Sequence, residues 1–312
     1  MQQFSADDLI DVLDYPALIE ALRKTYRAPF AAPDRTRHQI SVPGCDEATL
    51  LVMPAWTEGA YLGIKTATIF PSNADRGLPA VRSEYLLMDA RDGSLLARMD
   101  GDALTVLRTA ATSALVADLL AVPEAACMLM VGAGRMGSAL IRAHTSIRPF
   151  ERIYVWNRTR PRAETMARQL RAEGYPVEAV EDLESAARVA DLISCATLSR
   201  APLVHGRWVR EGAHLDLVGA FTHSMREVDA EAISTAVVFV DTREGAMSEA
   251  GDLAFAAKES DWRYEEIAGE LRDLAHAGPA AHAASKVRTV FKSVGHAAED
   301  LAAAVLAYER KG

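Results

Sequence analysis

ACMLMVGAGRMGSALIRAHTSIRPFERIYVWNRT, residues 126–159, is the stretch that decides the fold. Ala126 to Val131 is an unbroken apolar run, the pattern of a strand covered on both faces in a parallel sheet. Gly132, Gly134 and Gly137 follow at the spacing G-x-G-x-x-G, and Ser138-Ala139-Leu140-Ile141 opens a helical pattern. In such a strand-turn-helix the first glycine permits a tight turn, the second lets backbone approach a pyrophosphate, and the third lets helix pack on strand. The helix N-terminus adds unpaired N–H groups and the positive end of its dipole. A second strand, Ile153-Tyr154-Val155-Trp156, ends about 20 residues past the last glycine, where a dinucleotide fold reads its ribose. The order predicts a dinucleotide site in a doubly wound Rossmann sheet.

An NAD site places a carboxylate at that strand tip, on the ribose 2′-hydroxyl. Here the tip reads Asn157-Arg158-Thr159. A carboxylate repels a 2′-phosphate, whereas an arginine pairs with it and a neighbouring hydroxyl donates to it. The cofactor read from these residues is NADP(H), with Arg158 on the phosphate.

Working outward, 312 residues suffice for two ordinary domains. No run reaches the ~18 consecutive apolar residues of a membrane span, so no membrane partner is expected. The start, MQQFSADDLIDVLD, is acidic and lacks a basic segment and a small-residue cleavage site, so the expected location is the cytoplasm. A formal charge of −9 argues against nucleic acid and leaves a small molecule as the expected partner. Cys45, Cys127 and Cys195 form no C-x-x-C and no Cys/His pair at metal spacing, so no metal is expected. Cys127 and Cys195 lie in apolar strand patterns, where thiols are buried and inert.

Ser5, with Asp8 three residues on, begins a capping pattern, and Leu9, Ile10, Leu13, Ile19 and Leu22 predict two short helices broken near Pro16. Strand patterns follow at 37–42, 49–54 and 61–70, then at 85–89 and 95–99 around the hairpin signal Asp92-Gly93. Successive strands without helices predict an antiparallel or mixed sheet, and an alanine-rich helix at 104–121 leads out of it. After Thr159, helices at 162–172 and 183–188 alternate with strands at 177–180, 192–196, 215–218 and 237–240. A crossing back is expected near Asp273, then a strand from Val290 and a helix over 297–308. The expected architecture is α/β: a doubly wound parallel Rossmann domain over 121–289, plus a second α+β domain formed by 1–120 with 290–312.

Among residues able to do chemistry, Lys65 in GIKTATI stands either on a solvated sheet face or buried for a purpose, and base rates favour the face. Arg108 is mid-helix with nothing nearby in sequence to neutralise it, which fits a structural or a functional role equally. Asp252, Glu299 and Asp300 read as ordinary surface or capping acids. On these grounds alone the chain is an NADP-dependent oxidoreductase.

The stretches GIKTATIFPSN, GLPAV, LLMDARDGSLLARMDG, LTVLRTAATSA, VGAGRMG, VWNRT, LDLVGAFTHSMREVD and FKSVGHAAEDLAAA, in that order, resemble the ornithine cyclodeaminase/mu-crystallin family over nearly the whole chain. The resemblance implies that the N-terminal part and the last helix form a substrate-binding and dimerisation domain of a homodimer. It matches Lys65 and Arg108 to the family's substrate-carboxylate lysine and arginine, and Arg35 to a second arginine, with Arg37 as fallback. Arginine offers a desolvated carboxylate bidentate, charge-assisted hydrogen bonds. A lysine beside two arginines has its pKa lowered, which suits a proton donor. The resemblance places the cofactor on Gly132, Gly134, Arg135, Met136, Gly137, Asn157, Arg158 and Thr159. It adds Ala196, Thr197, Val218 and Gly219, and Ser293 and Gly295 from the stretch Lys292 to Gly295 that closes near the nicotinamide. Met136 stands where many members have glutamine.

Members include cyclodeaminases, alanine dehydrogenases, ketimine reductases and a thyroid-hormone-binding crystallin. Ornithine cyclodeaminases carry an aspartate where this chain has Phe221 and a glutamate where it has Leu51. Neither Phe nor Leu places and deprotonates a second amine, whereas an apolar wall suits the methylenes of a cyclic imine. The expected function is NADPH-dependent reduction of cyclic ketimine carboxylates, such as Δ1-pyrroline-2-carboxylate or Δ1-piperideine-2-carboxylate, to proline or pipecolate. The alternatives are a cyclodeaminase, an alanine-dehydrogenase-type enzyme acting on pyruvate and ammonia, and a non-catalytic NADPH-dependent ligand-binding protein.

Overall fold

The computed structural model describes residues 1–278 and 287–311. The chain divides into two compact units, one formed by Met1–Thr109 with the segment from His296 onward, the other by Ala110–Gly295. In chain order the first unit contains β1 (Gln2–Phe4), α1 (Ala6–Val12), α2 (Tyr15–Arg27), β2 (Thr36–Ile40), β3 (Ala48–Thr57), β4 (Tyr61–Ile69), β5 (Val81–Asp89) and β6 (Leu95–Asp100). Helix α3 (Gly101–Leu120) begins in the first unit and ends in the second. The second continues with β7 (Cys127–Val131), α4 (Arg135–Ile147), β8 (Arg152–Trp156), α5 (Arg160–Ala172), β9 (Val177–Ala179), α6 (Leu183–Val189), β10 (Leu192–Cys195) and β11 (His214–Leu217). It closes with α7 (Ala230–Ser234), β12 (Val237–Val240), α8 (Arg243–Glu249), α9 (Gly251–Glu259), β13 (Gly269–Glu270), α10 (Leu271–Ala277) and β14 (Thr289–Lys292), after which α11 (Ala297–Lys311) returns to the first unit.

Ser5 and Asp8 form the expected reciprocal cap at α1. The break between the first two helices falls at Leu13 and Asp14, just before Pro16. Asp14 caps α2, and Pro16 sits in its first turn, where a missing N–H forfeits no helical hydrogen bond. The first sheet has the order β1-β6-β5-β4-β3-β2, antiparallel except for β1, a short strand unmarked in the sequence that joins β6 in parallel. Along β4 the buried positions alternate as Gly63, Lys65 and Ala67, flanked in register by Ala55, Met53 and Leu51 of β3 and by Leu87 and Tyr85 of β5. Helix α11 packs on β3, β4 and β5 with α2 beside it, and its run of alanines lets the backbone come close. Helix α3 is long and apolar enough to cross a membrane by length and composition, but 83% of that stretch is buried inside the protein, as in a core helix.

The second sheet is parallel throughout, in the order β13-β12-β14-β11-β10-β7-β8-β9. Trp156, Val131, Cys195, Leu217 and Lys292 are register partners in one row, so the loops after β8, β7, β10, β11 and β14 leave the sheet side by side. The connections reverse direction between β7 and β10, and open parallel sheets bind ligands beyond the strand ends at such a reversal. The central place of β14 puts residues 289–295 with this sheet. The units therefore divide at 109/110 and 295/296, where the sequence suggested 120/121 and 289/290. Of the expected crossing back after Asp273, α10 occupies the start, and residues 279–286 lie outside the described residues.

Polar groups lie beneath this sheet. Ser194 donates to Asp216 Oδ2 at 2.7 Å, His144 Nε2 lies 3.2 Å from the same oxygen, and His214 Nδ1 meets Thr289 Oγ1 at 2.9 Å. Burial pushes the His214 imidazole from 6.5 down to about 3. Below pH 6.5 the unfolded chain takes up a proton that the folded chain refuses, so stability falls as pH drops from there toward 3. The slope is about 1.4 kcal/mol per pH unit. Urea unfolding between pH 5.5 and 4.5 is expected to include this slope, and His214→Asn to lose that share of it; an unaltered slope in the variant contradicts the assignment.

Candidate active site

In the first unit, Lys65 and Arg108 are each 4% exposed. Lys65 Nζ donates to both carboxylate oxygens of Asp300, at 2.9 and 2.8 Å, and to Thr105 Oγ1 at 3.3 Å. Arg108 Nε donates to Asp300 Oδ1 at 3.0 Å, and its Nη1 donates to Glu299 Oε2. Asp300 thus bridges a strand lysine and a helix arginine. Tyr26, buried in α2, donates to the other oxygen of Glu299 at 3.5 Å.

The solvated-face option for Lys65 is therefore wrong, and so is the reading of Glu299 and Asp300 as surface acids, which are 1% and 0% exposed. Both open α11, where acids ordinarily serve the helix dipole. Here the apolar packing of that helix seats them against β4. The groups that neutralise Arg108 lie 191 and 192 positions away in sequence, out of reach of any local pattern.

Arg37 pairs with Leu51, and Leu51 with Ala67, so alternation puts Arg37 on the face that carries Lys65, while Arg35, just before β2, is near enough to act on the lysine's charge. Arg35 is half-buried and Arg37 exposed, which favours Arg35 as the second arginine. Burial is the largest influence on the Lys65 amine; Asp300 opposes it, Arg108 and Arg35 add to it, and the result is a pKa of about 8. The carboxylates overcome burial at Arg108 and hold its guanidinium charged. Leu51 is buried on the same face, where a glutamate would have supplied a base.

The second unit holds the residues expected to bind the dinucleotide. Gly132 has φ +115°, and a Cβ there would meet the Ala196 carbonyl at 2.5 Å; a Cβ on Gly137 would meet the Gly132 carbonyl at 2.3 Å. Gly134 faces open space and precedes α4, whose first turn has no side-chain cap, leaving its N–H groups for a ligand. Asn157 accepts from Ala133 N–H at 3.1 Å and donates to the Thr159 carbonyl at 3.0 Å, so its side chain pins the glycine turn to the tip of β8. Thr159 precedes α5 without capping it, which leaves its hydroxyl available.

A cleft of about 460 Å³ opens here, lined by Gly134, Arg135, Ser138, Arg162 and Thr165 among others. Arg135, Arg158 and Arg162 are exposed and form no ion pair among the described residues, whereas Arg160 pairs with Glu164 and Glu181. Arg162, in the first turn of α5, lines this cleft and was not singled out in the sequence. These features fit a dinucleotide.

Farther along the strand-end row, Val218 is half-buried and donates its N–H to the Cys195 carbonyl at 2.9 Å. Ser293 is buried and donates its N–H to the Leu217 carbonyl at 3.2 Å. Gly295, at φ +88°, donates its N–H to Asp241 Oδ2 at 2.6 Å. Met136 is half-buried beside the glycine turn. Phe221 is 42% exposed in the loop after β11, next to Ala220, a non-glycine residue at φ +54°. Asp252, read as a surface acid, is buried and accepts from the N–H groups of Glu227 and Val228 at 2.7 and 3.1 Å.

With this geometry in place, residues 8–312 match the model of the ornithine cyclodeaminase/mu-crystallin family. The chain belongs to that family. It is 38% identical over 301 residues to the Δ1-pyrroline-2-carboxylate reductase of Paracoccus denitrificans, covering 96% of this chain and 94% of the relative. It is 35% identical over 259 residues to the ketimine reductase mu-crystallin of Mus musculus, covering 83% and 79%. The structure of Thermococcus litoralis Δ1-pyrroline-2-carboxylate reductase in complex with NADH and L-proline superposes with a TM-score of 0.91 at 30% identity, covering 99% of this chain and 97% of that one. These relatives are reductases of cyclic imines, and the chain is an oxidoreductase of this family.

The charges around Asp300 make a direct prediction. Asp300→Asn leaves two buried cations without their shared partner and is expected to cost about 3 kcal/mol of stability, read by urea unfolding. A loss below about 1 kcal/mol, the range of an exposed pair, contradicts the buried bridge.

Proposed function

We propose that the protein is an NADPH-dependent reductase of cyclic ketimine carboxylates, such as Δ1-pyrroline-2-carboxylate or Δ1-piperideine-2-carboxylate, acting as a cytoplasmic homodimer. The observation that carries this is the buried junction of Lys65 from β4 with Arg108 from α3, with half-buried Arg35 near enough to act on the lysine's charge and Leu51 in place of a second base. Arg108 and Arg35 hold the substrate carboxylate, and Leu51 accommodates ring methylenes. The bound nicotinamide supplies the hydride that the imine carbon receives. Lys65 Nζ gives a proton to the imine nitrogen, so C=N becomes CH–NH, and Asp300 keeps the lysine oriented before and after. A pKa of about 8 leaves most of the amine charged at neutral pH yet ready to release its proton. Arg158, Thr159 and Arg162, with no carboxylate at the strand tip, support NADPH over NADH.

The test follows nicotinamide absorbance with purified protein and Δ1-pyrroline-2-carboxylate. Rapid oxidation of NADPH is expected, slower with NADH, and Arg158→Ala is expected to raise the KM for NADPH at least about tenfold while sparing that for NADH. Oxidation only with pyruvate and free ammonium identifies an amino acid dehydrogenase; ammonia release from ornithine identifies a cyclodeaminase; bound NADPH without turnover identifies a binding protein.

Because Lys65 acts as the acid, kcat/KM, which reports the free enzyme, is expected to be level below pH 8 and to fall as pH rises through the lysine's pKa of about 8. A rate that rises through that range contradicts Lys65 as donor.

A further inference from the structure

A second cluster of buried charge lies at the C-terminal edge of the parallel sheet, and the chemistry above does not use it. Glu227, Asp252 and Lys292 are all buried in the second unit. Glu227 Oε1 accepts from the Thr197 N–H at 2.6 Å and from the Thr197 hydroxyl at 2.8 Å, and its Oε2 accepts from the Gly219 N–H at 2.8 Å. Thr197 follows β10 and Gly219 follows β11, so one carboxylate spans two neighbouring loops. Lys292, the last residue of β14, donates to the Gly219 carbonyl and, at 3.2 Å, to that of Leu217. Gly219 is thus held at its N–H by an acid and at its carbonyl by a base. A Cβ at this position would meet the Thr197 carbonyl at 2.3 Å, so the loops touch through bare backbone. Asp252 fixes the Glu227 backbone and sits 3.6 Å from the Lys292 amine.

The place of these loops gives the cluster its meaning. The glycine turn and the Asn157–Thr159 tip follow β7 and β8, and the Thr197, Gly219 and Ser293 loops follow β10, β11 and β14 on the other side of the reversal. From β8 to β14 is four strand spacings, roughly 19 Å, the span of an extended dinucleotide. If the adenosine end lies at β8, the nicotinamide end lies at the loops that Glu227 ties.

We propose that Glu227 is a positioning residue for the nicotinamide half of the cofactor, holding the Thr197 and Gly219 loops in place before the cofactor arrives and without touching it. This rests on the dinucleotide reading of the second unit. Burial in this cluster is costly, since burial and the neighbouring Asp252 raise the Glu227 carboxyl and burial raises Asp252 as well, with Lys292 opposing both. A loop anchor made of apolar side chains avoids that cost but cannot take three N–H and O–H donors at one point.

The test uses Glu227→Gln in the full chain. Its amide oxygen still accepts on one side, but its NH₂ faces a donor on the other, so at least one tie is broken at constant volume. NADPH affinity, read from the fluorescence of the bound nicotinamide, is expected to fall at least about tenfold, and the intensity of the bound signal to drop. Affinity for 2′,5′-ADP, which lacks the nicotinamide half, is expected to stay within about twofold, a margin well under one broken hydrogen bond. Wild-type affinity for both ligands, or equal loss of both, overturns the proposal. Hydrogen exchange on the wild-type protein without cofactor supplies a readout free of folding defects. Slow exchange at Thr197 and Gly219 supports preformed loops, and fast exchange that slows only with NADPH overturns them. Wild-type protein that binds none of NADPH, NADH and 2′,5′-ADP defeats the dinucleotide reading itself, whereas normal wild-type binding with an unaffected variant defeats Glu227 alone.

Discussion

The two carboxylate oxygens of Asp300 take three hydrogen bonds from Lys65 and Arg108, and the first unit depends on that junction. A lysine in the middle of a sheet face packed with Met53, Leu51 and Tyr85 is tolerable only if a counter-charge meets it there. The counter-charge arrives on the last helix of the chain. Once α11 is seated, its first turn brings Glu299 and Asp300 together, and two cations remain charged in a region that would otherwise discharge or exclude them. Arg35, just before β2, adds positive charge near enough to act on the lysine.

The second unit solves a different problem, that of presenting backbone rather than charge. Five parallel strands end in one register row, so their loops form a continuous edge. The glycine turn is shaped by close approach: the Ala196 carbonyl fills the space beside Gly132, and the Gly132 carbonyl fills the space beside Gly137. Farther along, Glu227, Asp252 and Lys292 hold loops by hydrogen bonds to main chain. Charged side chains here therefore serve peptide groups, whereas in the first unit Lys65 and Arg108 meet the carboxylates of Asp300 and Glu299.

Much of this was legible in the chain. The glycine spacing, the apolar strands and the Ser5 cap each report a requirement met within a few residues, and all three stand as read. Lys65 and Arg108 were legible as a pair only through resemblance, because a lone cation in an apolar run fits either face of a strand or helix. Glu299, Asp300 and Asp252 were misread for the complementary reason. An acid at the start of a helix looks the same whether that turn is solvated or pressed into a core.

What the sequence determined by itself is the local geometry: where the chain turns, which runs form buried parallel strands, and which tip lacks the carboxylate an NAD site would carry. These follow from dihedral freedom, side-chain period and charge sign, all properties of neighbouring residues. Only the tertiary structure decided which charges meet. Lys65 and Asp300 are 235 positions apart, and Thr197 and Glu227 are 30. Whether a buried charge is a defect or part of a site depends on its partner, and the partner is chosen by packing rather than by sequence proximity.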